Sequence, residues 1–277
     1  QIEALLQFLE FPMVFITSAA GTLAAMADKL NAKVVQHPPI SGRYTGLTEV
    51  ALLPAAICGI DVESVFKSAK EVYSKFEQDN EAYKTASVMQ QLEDKGIVDV
   101  FLPIYDSNLY HMNGLIIQLC HESFGKDGEG QTYFAHRAPE SQHHTNQRFF
   151  GGRKNIAGWF ISAEKSQTQT TTAVPDNLKD VVIKDHPMSV LDGLTLTQSL
   201  HAELTGTLED AKLNNIPVVH QSFSGSSPEE VGTMMAFWQL YAVYSSLLRN
   251  VDPFNQPQVE NSKKISFAKR LQLKGLL

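Results

Sequence analysis

Three consecutive pieces of the chain decide the fold: VDVFLPI at Val98–Ile104, NLYHMNGLIIQLCHESF at Asn108–Phe124 and QTYFAHR at Gln131–Arg137. The outer two are short, apolar and rich in β-branched and aromatic residues, which reads as buried strands. The middle one is longer and apolar at helical steps. Two strands joined through a helix must lie parallel, because a tight turn cannot make that connection. The alternation continues downstream. Ser141–Phe150 reads as helix, Ile156–Ser162 and Val181–Lys184 as strands, Val190–Leu213 as helix and Ile216–Gln221 as strand. Ser227–Arg249 is a helix with Ser227 as N-cap, Pro228 at the first helical position and Glu230 completing a capping box. A last helix covers Val259–Leu273, and the polar run Ser166–Thr172 reads as a mobile loop.

Upstream, Met13–Thr17 and Lys33–Gln36 read as strands around a helix at Thr22–Leu30. Helices then cover Leu47–Cys58, Val62–Gln78 and Glu81–Lys95, the last closed by Gly96. The chain begins at Gln1 inside a helical pattern (Ile2, Leu5, Leu6, Leu9), so its first residues are expected to be the middle of a longer protein. Short strands alternating with longer helices give an α/β protein with a mainly parallel sheet covered on both faces. Ligands of such sheets gather beyond the carboxyl ends of the strands. The loops to search are therefore Gly42-Arg43, His121–Gly130, Ser141–Thr145 and Gln221–Ser227.

The 277 residues are 43% hydrophobic and 19% charged, with a net charge of −7, ordinary globular material with no basic run for nucleic acid. No apolar run is long enough for a membrane span. Gln1–Ala20 carries Glu3 and Glu10 and lacks a basic start, so it does not read as a signal peptide. Cys58 and Cys120 both sit in apolar helical contexts and read as buried thiols of a reducing compartment, the cytoplasm.

Candidate chemistry sits in four places. Arg43 follows Gly42 on a turn, where a guanidinium offers five donors and glycine lets a ligand approach the backbone; an ordinary surface ion pair would also account for it. Glu122 ends a helix, where the dipole opposes its charge, a setting suited to a general base as well as to a solvated helix end. His143 and His144 are adjacent, so their side chains diverge and do not form a metal pair; either one suits a proton shuttle, or a surface. Lys263 opens the final helix and is either a site ammonium or a solvated one. The Ser222–Ser227 loop could hold an anion, although capping alone explains it.

Taken in order, these segments resemble the glucose-6-phosphate isomerase family. SGRYTGLTEVALLP at Ser41–Pro54 is similar to its Gly-Gly-Arg-[Phe/Tyr]-Ser motif, and QLCHESFGK at Gln118–Lys126 to its helix end with Glu-Ser-x-Gly-Lys. SQHHTNQRFFGG at Ser141–Gly152 is similar to the segment with the family's histidine, and VDPFNQPQVENSK at Val251–Lys263 to its C-terminal Phe-Asp-Gln-x-Gly-Val-Glu-x-x-Lys pattern. The resemblance implies an aldose–ketose isomerase that interconverts glucose 6-phosphate and fructose 6-phosphate through a cis-enediolate. Arg43 would stabilise the developing negative charge, and Glu122 would carry the proton between C1 and C2. His143 would open the sugar ring, being preferred over His144 because Gln147 then falls four residues on. Lys263 would assist it, and Gly42 and Gln118 would contact substrate. The resemblance implies no metal and no cofactor. It also implies a homodimer, since in the family the histidine reaches the site from the partner subunit.

The implied architecture is a three-layer αβα sandwich of the sugar-isomerase (SIS) type. Residues 1–45 would end a first such domain, 46–96 form a helical connector, 97–250 a second SIS-type domain and 251–277 a C-terminal helix. The sequence departs from the family at Ser41 and at Gln258, where the family has glycine, and nothing in Gln1–Pro38 matches its phosphate-holding loop. The same fold would also serve a non-catalytic sugar-phosphate-binding module, which needs no Glu122 and Lys263 together, or an isomerase of another hexose phosphate such as mannose 6-phosphate.

Overall fold

The computed structural model of the chain describes residues 6–8, 11–77, 79–165 and 170–276. Ile2, Leu5 and Leu9 of the expected opening helix lie outside them, as does 166–169 of the polar loop. The far end of that loop is pinned: Thr171 bridges Thr195, and the Thr172 N–H donates to the Leu194 carbonyl at 2.8 Å.

The first strands, β1 (Val14–Thr17) and β2 (Lys33–Gln36), pair in parallel and are joined through helix α1 (Thr22–Leu30). A 3-10 turn over Gly42–Leu47 leads into helices α2 (Glu49–Ile57), α3 (Val62–Tyr73) and α4 (Glu81–Asp94). Each starts on a side-chain cap, from Thr48, Asp61 and Asn80 respectively. Gly96, at φ +85°, ends α4 in the left-handed conformation expected of it, and the Ile97 N–H returns to the Leu92 carbonyl at 3.0 Å.

The main sheet holds β3 (Asp99–Tyr105), β4 (Thr132–Arg137), β5 (Ile156–Ala163) and β8 (Val218–Phe223), all parallel in the order β4-β3-β5-β8. Its registers start at Asp99 opposite Thr132, Asp99 opposite Ile156 and Gly158 opposite Val218. Helix α5 (Asn113–Phe124) joins β3 to β4, and α6 (Thr145–Gly151) joins β4 to β5. Helix α7 (Leu196–Leu213) precedes β8, and α8 (Pro228–Leu248) and α9 (Glu260–Leu273) follow it. The expected strand Val181–Lys184 shrinks to a two-residue hairpin, β6 (Val182–Ile183) with β7 (His186–Pro187).

Every residue of β5 is buried, as a strand covered on both faces must be. Val100, Leu102 and Ile104 of β3, with Ala157, Trp159 and Ile161 of β5, face α4, α5 and α8. Phe101, Tyr105 and Phe160 face the other way, against Phe149 of α6 and Leu204 and Ala211 of α7. The three-layer αβα arrangement is thus set by the period-two alternation of two strands. Fully burying each large apolar side chain contributes about 1.5–3 kcal/mol, so the Trp159–Trp238–Tyr241 aromatic cluster is a main anchor of α8. α8 also takes α3 at close range, for a Cβ on Gly232 would lie 2.1 Å from the Val65 carbonyl oxygen.

Two further local expectations change. Ser227 caps α8, but the Glu230 carboxylate turns to the N–H and hydroxyl of Ser224 instead of closing a capping box. The reciprocal box is found at Thr195 and Gln198. Cys58 is exposed at the end of α2, while Cys120 is buried as expected, and burial pushes its thiol pKa well up.

Candidate active site

The chain leaves β2 at its carboxyl end and reaches Arg43 through Pro38–Ser41. Arg43 is fully buried, although it carries a charge that never titrates away. Burial of such a group is tolerable only when its donors are all met. Nε donates to Ser123 Oγ at 2.8 Å, and Nη2 to the carbonyls of Pro253 (2.6 Å) and Asn255 (3.1 Å). Nη1 donates to Ser41 Oγ (2.7 Å), to Gln256 Oε1 (2.8 Å) and to Glu122 Oε2 (3.2 Å). Glu122, in the last turn of α5, is the one carboxylate in this set, and 30% of its side chain is exposed. Gln118, one turn earlier, offers its amide to both Glu122 oxygens at 3.3 and 3.4 Å.

Two further groups complete the cluster. The Tyr44 hydroxyl pairs with Ser123 Oγ at 3.0 Å and donates to the Pro253 carbonyl at 3.2 Å; burial raises its pKa. Lys126, 7% exposed, donates to the carbonyls of Asp252 (2.6 Å) and Asn255 (2.7 Å) and to Asn255 Oδ1 (3.1 Å). Burial, and then the charge of Arg43, pull its pKa below the ordinary lysine value.

Arg43, Glu122 and Gln118 are therefore brought together as the sequence suggested. His143 and Lys263 are not part of the same cluster. Lys263 is exposed on α9 and pairs with Glu260 at 2.7 Å. His143 is exposed in the turn after β4, and among the described residues its ring has no hydrogen-bond partner. Its neighbour His144 bonds Thr145 Oγ1 at 2.6 Å and packs edge-on against His136, in a cleft of about 230 Å³ shared with Tyr110, Arg137 and Glu140.

The topology explains the separation. α5 runs back against the strands, so Glu122 lies at the amino end of β4, where neighbouring His121 accepts the Tyr133 N–H at 2.9 Å. His143 follows the carboxyl end of the same strand, roughly 16 Å further along it. The carboxyl-end rule holds for Arg43, in the turn that follows β2, but not for Glu122. Reading the sequence also missed Ser123, Tyr44, Lys126 and Gln256. The last lies seven residues before Lys263 in the segment already singled out, and was the most accessible signal of the four. Gly42 has no positive φ, and a Cβ there would meet nothing within 4 Å, so its backbone does not demand glycine.

Chemically, a partly exposed carboxylate next to a fixed, buried cation can take a proton from carbon while the cation stabilises the oxyanion that forms. Among the described residues no acidic, histidine or cysteine group assembles as a metal site, and no helix is long and apolar enough to cross a membrane.

Fold and site define the class: a three-layer αβα protein with a parallel main sheet, carrying a buried Arg paired with a partly exposed Glu. No family model matches the chain. Its curated relatives are glucose-6-phosphate isomerases, and the chain resembles them over about nine-tenths of its length. It is 28% identical over 258 residues to that of Pediococcus pentosaceus, covering 90% of this chain and 56% of the other. With that of Mycoplasmopsis synoviae it shares 30% over 255 residues, covering 89% and 58%. The chain thus spans little more than half the length of these relatives.

Among solved structures, a hypothetical protein from Thermus thermophilus is 26% identical with a TM-score of 0.84, over 93% of this chain and 62% of that one. A glucose-6-phosphate isomerase from Chlamydia trachomatis is 18% identical with a TM-score of 0.72, over 95% and 53%, and shares the fold.

Proposed function

We propose that the chain is the carboxyl-terminal part of a glucose-6-phosphate isomerase and carries its proton-transfer base. The observation that carries this reading is the 3.2 Å pairing of Glu122 with the buried Arg43, two residues 79 positions apart in sequence. On the open-chain aldose, Glu122 takes the proton from C2. The C–H electrons form the C1–C2 double bond, and the carbonyl pair moves onto O1. Arg43, held from five other directions, stabilises that negative charge without having to reorganise. The C2 hydroxyl proton passes to O1, the proton carried by Glu122 returns to C1, and the carbonyl is left at C2. One base on one face suffices, because the proton leaves and returns on the same side.

His143 is assigned to ring opening, with Lys263 assisting. The separation along β4 keeps His143 away from Glu122 of its own chain, and this supports supply of the histidine by a second copy in a homodimer. Gly42 and Gln118 are assigned to substrate contact, and Gln256 joins them through its bond to Arg43. The β1–β2 pair is assigned to the end of a first sugar-isomerase domain, and the setting to the cytoplasm, in glycolysis and gluconeogenesis. The residues that hold the phosphate are not assigned within this chain.

The test is transfer of solvent deuterium. The full-length protein, given fructose 6-phosphate in D2O, is expected to place deuterium at C2 of glucose 6-phosphate, and Glu122→Gln is expected to abolish this. Absence of isomerisation in the unaltered protein would overturn the reading.

A further inference from the structure

We infer that Lys126 is a positioning residue: its buried ammonium locks the 252–256 strap over Arg43 and thereby sets where the guanidinium and the Gln256 amide sit. The inference rests on the isomerase reading for its kinetic consequence but on geometry for its content. The strap is the stretch Asp252–Gln256 between α8 and the 3-10 turn Pro257–Val259 that opens the last helix. It has no regular secondary structure of its own. A free segment of this kind does not by itself hold three acceptors in fixed places around one guanidinium. Yet Pro253 O, Asn255 O and Gln256 Oε1 all accept from Arg43.

Lys126 supplies the missing restraint. Its Nζ spans the strap, bonding Asp252 O at one end and Asn255 O and Oδ1 at the other. The carbonyl of Asn255 is shared, with Lys126 at 2.7 Å and Arg43 at 3.1 Å. Within the strap, the Asp252 carboxylate closes the loop through the Phe254 N–H (2.8 Å) and the Asn255 side-chain amide (2.7 Å). Two cations thus converge on one run of carbonyls, an arrangement whose mutual repulsion has a cost. A neutral residue could pack in that space. An ammonium is needed where several carbonyl oxygens must be gathered at once, because it has three donors and no acceptor.

Lys126 does not touch Glu122 or the exposed side of the cluster; its bonds are to the strap. It therefore acts on the reacting groups only through Arg43 and Gln256. Second-layer groups of this kind fix the inner ones to a fraction of an ångström, and losing that precision costs rate more than binding.

The experiment compares Lys126→Met with the unaltered full-length protein by two independent readouts. The first is the NMR signal of the Arg43 Nε–H, which is buried and bonded to Ser123. It is expected to shift, and its exchange with solvent to accelerate about tenfold or more as the strap loosens. The second is the isomerase assay, in which kcat is expected to fall on the order of 10- to 100-fold with KM changed far less. Lys126→Arg, which keeps the charge and the donors, is expected to restore part of both. An unchanged Arg43 signal in Lys126→Met overturns the proposal whatever the activity. A shifted signal with unchanged kcat overturns the positioning role. Should Lys126→Met fail to fold, Asn255→Ala, which removes the Oδ1 arm and the Nδ2–Asp252 bond while leaving both carbonyl arms, is read in the same way. Loss of the isomerase reading would show as an inactive unaltered protein, an outcome that leaves the NMR comparison intact.

Discussion

Arg43 Nη1 and Glu122 Oε2 lie 3.2 Å apart, the cation wholly buried and the carboxylate open to solvent on its other side. The asymmetry assigns their roles, for the group that moves must face the ligand and the group that stabilises must stay still. Glu122→Gln keeps the volume and a hydrogen bond to Arg43 but has no basicity. It is expected to lower kcat by on the order of 10²–10⁴ while substrate affinity stays within a few-fold. Isothermal titration with a non-reacting sugar phosphate, set beside the turnover assay, checks both halves. Equal loss of binding and turnover would reassign Glu122 to substrate holding.

Arg43→Met is expected to damage both fold and activity. It strips partners from Ser123, Gln256 and two backbone carbonyls, and leaves Glu122 without its cation. Breaking such an arrangement costs about 3 kcal/mol or more, and loss of the fixed positive charge is expected to cost on the order of 10²–10³ in rate. Urea unfolding and kcat measured on the same preparation separate the two. Arg43→Lys keeps the charge but cannot meet acceptors in so many directions, so its stability is expected to fall between the others.

Much of this was legible in advance, and the exceptions have physical causes. The alternation of β3, α5 and β4 is written in the sequence because β3 is a buried apolar run and β4 a short aromatic one, set either side of a longer apolar helix. Glu122 and Arg43 were visible as charges in unusual places. The partners that bury Arg43 were not, since Ser123, Lys126 and the carbonyls of Pro253 and Asn255 become acceptors or donors only once α5 and the end of α8 meet. The position of Glu122 at the amino end of the main sheet was missed for a different reason. The carboxyl-end rule describes ligands held by the loops that follow strands, whereas Glu122 sits on the helix returning toward the next strand.

The stability of the protein is expected to fall as pH drops below about 6.5, the ordinary histidine value. Burial lowers the pKa of His121, and the same direction holds for His136, from burial and then His144, and for His220, from burial and then His201. His121 Nε2 accepts the Tyr133 N–H, a bond that a protonated ring cannot keep. A depressed folded-state pKa means that the unfolded chain binds the proton first. The stabilisation is thus complete above the unfolded value and is lost progressively as pH falls from there through the lowered folded-state values. Urea midpoints at about pH 7.5 and about pH 5.5 measure the slope, and His121→Asn is expected to flatten it. A midpoint that rises toward acid pH would contradict the assignment.

A second buried pair fixes the opposite side of α5. Arg249, with 1% of its side chain exposed, joins Glu93 through Nε at 2.9 Å and through Nη2, and lies over the Phe124 ring at 4.8 Å. The other Glu93 oxygen accepts the Gly130 N–H at 2.6 Å, tying α4 to the loop before β4. Glu93→Leu alone leaves an unpaired buried guanidinium and is expected to cost about 3–5 kcal/mol. Adding Arg249→Met removes that charge and is expected to recover part of the loss, as urea titration of both variants would show. A double variant less stable than the single one would mean that the pair is not the unit at stake.

Gly42 gives the cleanest separation of fold from ligand. A Cβ at Gly232 would press on the Val65 carbonyl at 2.1 Å and on Ser68 Oγ at 2.3 Å, so Gly232→Ala is expected to destabilise by about 1–3 kcal/mol. At Gly42 the same methyl meets open space and an ordinary backbone conformation, so Gly42→Ala is expected to stay within about 0.5 kcal/mol of the unaltered protein. Its neighbour Arg43 is buried, while Gly42 itself is exposed, so the added carbon would stand on the solvent side of the turn. A ligand that approaches this backbone would collide with it, and KM is expected to rise several-fold for Gly42→Ala and further for Gly42→Val. Chemical denaturation and steady-state kinetics are sufficient to check this. Unchanged KM in both variants would reduce Gly42 to a turn residue and move the substrate's approach to the Gln118 side of Glu122.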